Sequence, residues 1–262
     1  MTNSKMILEI KDGVGYVTFN NPEKHNAVSL EMWESLGEMM DQLEKDNNVR
    51  VVVLKGAGGK SFVSGADISK FDKDRSTKEQ VLNYNAKTGK LYQRIEAFPK
   101  PTIAMIDGYC IGGGLNLAVC CDMRICSEKS QFAMPAAKLS LGYPFSSIKR
   151  LFDTMGPGMS KHFMFTAERI SSGEALNCGL VQKLVKDIEL EEFVNSYAQR
   201  ISKNAPLTIK AMKQIGIEVL KNSEDRDLGL CEKLVSECFD SEDYKEGRKA
   251  FMEKRKPIFI GK

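Results

Sequence analysis

The run Ile111-Gly112-Gly113-Gly114-Leu115 follows an apolar, strand-like stretch from Pro101 to Ile106 and opens an apolar, helix-favouring segment from Leu115 to Cys121. A strand, bare glycines and a helix in that order make an anion-receptive helix N-terminus, because the first N–H groups of a helix have no intrahelical acceptor. Upstream, Ser64-Gly65-Ala66-Asp67-Ile68 supplies a second small-residue turn, after the apolar stretch Val51 to Leu54. Two such turns converging on one oxygen atom would stabilise negative charge as an oxyanion hole. The chemistry implied is that of a carbonyl or a thioester. Glycine spacing alone also suits a different purpose, the close packing of a helix on a strand.

Other glycine-rich sites fit less well. The run is not G-x-G-x-x-G, and no acidic residue follows a second strand at about 20 residues' distance, which argues against a dinucleotide site. Gly59-Lys60-Ser61 ends like a phosphate loop, but Leu54 stands where that loop needs its first glycine. Seven cysteines at irregular positions, with no C-x-x-C, form no disulfide framework. With only His25 and His162 as imidazole donors, a metal centre is not expected. Cys120 and Cys121 fall in an apolar helix and read as core residues rather than nucleophiles.

The elements that position the two turns alternate through the N-terminal half. Met6 to Ile10 and Gly15 to Phe19 read as a hairpin around Asp12-Gly13. Ser29 is a good N-cap for an amphipathic helix from Leu30 to about Lys45, with Trp33, Leu36, Met40 and Leu43 at helical spacing. A strand from Val51 to Leu54, a loop through Asp67 and a long polar helix from about Thr77 to Ala97 come next. Pro99 and Pro101 stop that helix and lead into a strand from Thr102 to Ile106. Repeated strand–helix–strand units imply parallel strands covered by helices. From Glu191 onward there are only charged amphipathic helical segments, broken near Asn204-Ala205-Pro206, Asn222-Ser223 and Asp240-Ser241. A strand-rich core with an all-helical tail suggests a tail that packs on a neighbouring subunit.

Composition bounds the function classes. The 262 residues suit one large domain, and the 42% hydrophobic and 28% charged content is that of an ordinary globular chain. No apolar stretch approaches the roughly 18 residues of a membrane span. Met1 to Lys5 leads straight into a strand rather than a signal-type apolar region, so a cytoplasmic protein without a membrane partner is expected. A net charge of +3 gives no case for nucleic acid. The basic run Lys245, Arg248, Lys249, Lys254, Arg255 and Lys256 reads as a solvated helix face or as a contact for a phosphorylated ligand.

Together these pieces resemble the crotonase (enoyl-CoA hydratase/isomerase) superfamily along nearly the whole chain. The matching segments are Asn21-Pro22-Glu23-Lys24-His25-Asn26-Ala27, Ser64 to Ile68, Asp107-Gly108-Tyr109-Cys110-Ile111-Gly112-Gly113-Gly114 and Cys121-Asp122-Met123-Arg124. Phe165-Thr166-Ala167 leading to Ala175-Leu176-Asn177-Cys178-Gly179-Leu180-Val181, and Ala250-Phe251-Met252-Glu253-Lys254-Arg255-Lys256, complete the set. The resemblance implies an α/β fold: a crotonase-like spiral of ββα units over residues 1–189, and a C-terminal helical trimerisation region over 190–262, continuous with it. Homotrimers or hexamers built as dimers of trimers are implied, as is a coenzyme A thioester substrate with no permanently bound cofactor.

By the same resemblance the oxyanion hole falls on the backbone N–H groups of Ala66 and Gly113. Lys24, Asn26, Ala27, Ser64, Gly65, Ala66, Asp67, Ile68, Gly112 and Pro135 would line the acyl-CoA site, and Phe251 and Lys254 would reach CoA bound to the same or a neighbouring subunit. Hydratases of the family handle water with two glutamates. Here those positions carry Asn116 and Ala136. The segment Lys138 to Pro144 is one residue longer than the common version, and Phe145-Ser146-Ser147 replaces a small glycine-rich turn. Asn116 can hold a water but cannot take its proton, and Ala136 can do neither, so hydration would need another group such as Tyr143. Decarboxylation of a malonyl-type thioester needs no base, because the departing carboxylate supplies the electrons. Tyr143-Pro144 resembles a pair found in family decarboxylases. The expectation is therefore a thioester-enolate enzyme with decarboxylase-like chemistry. The alternatives are an atypical hydratase or isomerase, or a non-catalytic CoA-thioester or RNA-binding member.

Overall fold

The structure is a computed structural model that describes residues 5–70 and 76–262. Most of the short stretch read as leading into the first strand, Met1 to Ser4, lies outside the described residues. β1 (Met6–Lys11) and β2 (Val14–Phe19) form the expected antiparallel hairpin, with Asp12 and Gly13 both at positive φ as a two-residue hairpin turn requires. The chain then builds two sheets at once. β3 (Val51–Gly56), β5 (Thr102–Ile106) and β7 (Met123–Ser127) add in parallel to β2. Each is followed within a few residues by a short strand, β4 (Ser61–Val63), β6 (Tyr109–Ile111) or β8 (Gln131–Ala133). With β9 (Ile170–Ser171) and β10 (Lys183–Val185), the orders are β1-β2-β3-β5-β7-β10 and β4-β6-β8-β9. Every turn of the spiral thus gives one strand to each sheet and returns through a helix.

The corners are tight. Gly108, at φ +78° between β5 and β6, would place a Cβ 2.1 Å from the Lys60 carbonyl oxygen, so no other residue fits there without moving the β4 backbone.

Both faces of the large sheet are covered, which is why its strands read as unbroken apolar runs. Val52, Leu54, Ala104, Ile106 and Cys126 face one core, shared with α1 (Leu30–Lys45) and α2 (Lys78–Glu96). The alternating residues Val51, Val53, Ile103, Met105 and Ile125 face a second core, closed by Leu190, Val194 and Ala198 of a helix at Leu190–Ser202. Three helices of the spiral, α3 (Gly113–Cys120), α4 (Phe145–Thr166) and α5 (Ser172–Asn177), precede that helix in the chain, so the covering helix is α6. Helix α3 begins two residues earlier than its apolar run suggested. Phe145-Ser146-Ser147 is the first turn of α4, started by Pro144 at its N-cap, and a break at Gly156 (φ +73°) bends that helix before Pro157.

Three further helices follow: α7 (Pro206–Val219), α8 (Leu228–Phe239) and α9 (Glu242–Met252). They break where the sequence predicted. Lys213 of α7 reaches back to Asp122 at 2.7 Å, and Asp122 also accepts from the Thr102 N–H (2.7 Å) and hydroxyl (2.9 Å), which ties α7 to the start of β5. Of the apolar residues of α8, Leu234 is buried within the chain, whereas Leu228 and Phe239 are exposed. Phe239, Met212, Phe251 and Met252 line an apolar groove of about 770 Å³ among these helices.

Candidate active site

Ala66 and Gly113 are brought together by two different devices. At Ala66 the chain makes a parallel bridge with Val28: the Val28 N–H donates to Gly65 O (2.9 Å), and the Asp67 N–H donates to Val28 O (3.0 Å). In such a bridge the residue between the two partners turns its own N–H to the opposite side. At Gly113 the device is the helix itself. Gly112, at φ +55°, is the N-cap and gives its N–H to Ala133 O (2.9 Å), while Gly113 stands in the first turn with no intrahelical acceptor available. The turns meet backbone to backbone. A Cβ on Gly65 would lie 3.9 Å from Gly113 N, and one on Gly113 would lie 3.9 Å from Ala66 N.

The three consecutive glycines have three separate causes. Gly112 supplies the positive φ. Gly114 lets α3 lie against β4, since its Cβ would stand 2.0 Å from Val63 O. Gly113 alone faces the space between the turns. Close packing and an open N–H thus belong to two adjacent glycines, Gly114 and Gly113.

Aromatic and amide groups surround that space. Tyr92 of α2 hydrogen-bonds Gly113 O through its hydroxyl at 3.2 Å, and the Asn116 side chain bonds the same hydroxyl. Burial, together with the neighbouring Tyr84 and Tyr143, pushes the Tyr92 phenol well above its ordinary range, so it stays protonated. The Trp33 ring meets Tyr92 edge-on at 5.3 Å, and its Nε1 donates to the Tyr84 hydroxyl at 3.2 Å. Asn116 is buried in the first turns of α3, and among the described residues its Oδ1 has no hydrogen-bond partner. Across the space, the Tyr143 hydroxyl and the Pro135 ring would lie 3.8 and 3.9 Å from a Cβ on Gly112. Ala136 follows Pro135 in a short 3-10 turn and is half-buried. Tyr143, Pro135 and Asn116 therefore do gather around the glycine turn. Tyr92 was not singled out from the sequence, although Tyr84, Thr88, Leu91, Tyr92 and Ile95 carry the i, i+4, i+7, i+8 and i+11 signal of a core-facing side within an otherwise polar helix.

The residues expected at the mouth of the site divide into scaffold and surface. The Lys24 ammonium lies 3.0 Å from Asp67 Oδ2 and 2.8 Å from the Ser69 hydroxyl, joining the Asn21–Ala27 loop to the Ala66 turn. Burial alone would raise the Asp67 carboxyl, but hydrogen bonds from Ser69 and Lys24 and the Lys24 charge outweigh it and hold the group below the usual range. Asn26 is fully buried, accepts from the Asn21 N–H and donates to Ala57 O and Ser61 O, and its own N–H donates to Asn21 O, so it holds the loops together from beneath the surface. Ala27 and Ser64 are half-buried beside it. Ile68 opens the turn Ile68–Lys70, and its side chain lies outside what the structure describes. Phe251 and Lys254 sit at the end of α9 and just beyond it, beside the apolar groove rather than at the two turns.

The thiols stand apart from this chemistry. Burial pushes Cys110 and Cys120 far up and Cys121 to about 12, which keeps them unreactive core groups. The arrangement therefore offers backbone N–H donors, two phenols and an amide, the equipment to hold an oxyanion and to give up a proton.

A family model described as enoyl-CoA hydratase/isomerase matches residues 9–262. The short-chain-enoyl-CoA hydratase of Clostridium acetobutylicum is 37% identical over 256 residues, covering 98% of this chain and 97% of its own length. The methylmalonyl-CoA decarboxylase of Escherichia coli K12 is 32% identical over 252 residues, with 95% of each chain covered. Among solved structures, an enoyl-CoA hydratase/carnithine racemase from Magnetospirillum magneticum superposes with a TM-score of 0.93 at 32% identity, over 100% of this chain and 97% of the other.

Proposed function

Because this chain belongs to the enoyl-CoA hydratase/isomerase family, we propose that it binds an acyl-CoA thioester with the thioester oxygen between the N–H groups of Ala66 and Gly113. The reaction passes through an enolate whose negative charge those two donors stabilise, each by about 3–4 kcal/mol. In the reading favoured here the substrate is a malonyl-type thioester. Its carbon–carbon bond to the carboxylate breaks, carbon dioxide leaves, the electron pair spreads onto the held oxygen, and a proton closes the α-carbon. The single observation that carries this reading is the pairing of two converging turns with an amide at Asn116 and a methyl at Ala136. The site can stabilise an enolate but carries no carboxylate at either position to activate water. Likeness to a methylmalonyl-CoA decarboxylase across 95% of the chain agrees with it.

A second reading, an atypical hydratase, rests on the unpartnered Asn116 Oδ1, which is placed to accept from a bound water, and on likeness to short-chain hydratases. Turnover of methylmalonyl-, malonyl-, crotonyl- and branched enoyl-CoA, measured side by side, separates the two. Faster loss of carbon dioxide than addition of water is expected, and the reverse order overturns the favoured reading. The CoA portion would run past Lys24, Ala27, Ser64 and Asp67, with Phe251 and Lys254 reaching it from a neighbouring subunit in a trimer or a hexamer.

A further inference from the structure

We propose that the Tyr92 hydroxyl delivers the proton taken up by the α-carbon of the enolate, making Tyr92 a catalytic residue of this chain. The inference rests on the reading that the thioester oxygen sits between Ala66 and Gly113, but not on whether the enolate arises by loss of carbon dioxide or by addition to an enoyl group.

Position comes first. The Tyr92 hydroxyl and Ala66 N flank the same point, 3.3 and 3.9 Å from where a Cβ on Gly113 would be, so the phenol stands on the wall from which one of the two oxyanion donors points. A thioester whose oxygen lies between the two N–H groups has its α-carbon two bonds from that oxygen, beyond the carbonyl carbon, beside the glycine turn around which Tyr92, Asn116 and Tyr143 stand. Tyr92 packs against the core but is only half-buried.

The hydrogen bonding fixes which way the proton can go. The Asn116 side chain donates to the phenol oxygen, so the only donor Tyr92 retains is its own O–H. That O–H rests on Gly113 O at 3.2 Å, long for a hydroxyl donor, and is readily exchanged for a better acceptor such as a carbanionic carbon. The Trp33 ring clamps the phenol edge-on, so the hydroxyl is held on one side of the site rather than sampling both. Burial keeps the phenol protonated until it is needed, and a thioester enolate is far more basic than a phenolate, so the transfer runs downhill. Afterwards the phenolate regains a proton from water: an O–H bond breaks and a C–H bond forms, and no oxidant or further reactant enters. A donor fixed on one side delivers its proton to one face.

The test is the fate of deuterium. In ²H₂O, wild-type protein acting on methylmalonyl-CoA or crotonyl-CoA should place deuterium on a single face of the α-carbon, read by NMR after short incubation. Tyr92→Phe should turn over about a hundredfold more slowly, the low end for a positioned acid, and should label both faces. Retention of one face in Tyr92→Phe overturns the assignment whatever the rate, as does labelling of both faces by wild type. Should the variant be too slow to label, unchanged affinity for the thioester and an unchanged melting temperature assign the loss to proton transfer. A fall in either assigns it to structure and overturns the inference. Absence of wild-type turnover with both thioesters marks failure of the underlying enolate reading, which is a distinct result.

Discussion

A methyl group on Gly114 would stand 2.0 Å from the Val63 carbonyl oxygen, whereas one on Gly113 meets nothing nearer than the Tyr92 hydroxyl at 3.3 Å. Substitution should therefore separate two adjacent glycines that look alike in the sequence. Gly114→Ala should lower stability by about 1–3 kcal/mol, as overpacking does, seen as an earlier denaturant midpoint. Gly113→Pro, in a helix position that tolerates proline, should keep the fold and the affinity for CoA while kcat falls by about 10²–10³, the loss expected for one oxyanion donor. Unchanged kcat in folded Gly113→Pro protein removes that residue from the mechanism. The Asn116 and Ala136 positions make a complementary test. Wild type should hydrate crotonyl-CoA at least about a hundredfold more slowly than a two-glutamate relative, and Asn116→Glu with Ala136→Glu should recover part of that rate where either change alone does much less. Fast hydration by the unmodified protein means that another group supplies the acid and base.

At the scale of elements, the Lys24–Asp67 pair joins the Asn21–Ala27 loop to the Ala66 turn. A carboxyl held low in the folded state contributes stability that is complete above the ordinary aspartate range and is lost as pH falls through the folded value. Asp67→Asn should therefore be less stable than wild type near pH 7, by no more than about 1 kcal/mol because Lys24 is half exposed, and the gap in urea midpoint should narrow as pH falls below the ordinary aspartate range. A gap that is independent of pH assigns the loss to packing. These loops also mark where sequence reading works. Helix α1 was legible because Ser29 caps it and Trp33, Leu36, Met40 and Leu43 repeat on one face, and the paired turns were legible because glycines without side chains leave few alternatives. The start of α4 was not, since Phe145-Ser146-Ser147 carries no cap side chain and takes its direction from Pro144. Tyr92 escaped because its role arises from contacts with Trp33, Gly113 and Asn116, residues that are distant in sequence. Asn26 matched a binding motif, yet its side chain is fully engaged in holding loops.

For the whole molecule, α6 and the three helices after it have unlike consequences. Met212, Phe239, Phe251 and Met252 stand exposed around an apolar groove on α7, α8 and α9, and burial of such side chains against another copy contributes about 1.5–3 kcal/mol each. Light scattering should find the intact chain as an oligomer, and Met212→Glu with Phe239→Glu should shift it toward smaller species. Truncation at about Asp187 should instead give an aggregating chain, because it strips Leu190, Val194 and Ala198 from the second core. A well-behaved monomer from either the intact or the truncated chain contradicts this. The position of α6 in the chain also bears on how the protein is born. All six strands of the large sheet, the last ending at Val185, leave the ribosome before the helix that covers Val51, Val53, Ile103, Met105 and Ile125. At about 5–20 residues per second, the interval between β3 and the end of α6 lasts roughly 7–30 s. Across that interval the growing sheet shows an increasingly wide, parallel, largely β-branched surface to solvent, a natural target for the chaperones that wait at the exit tunnel.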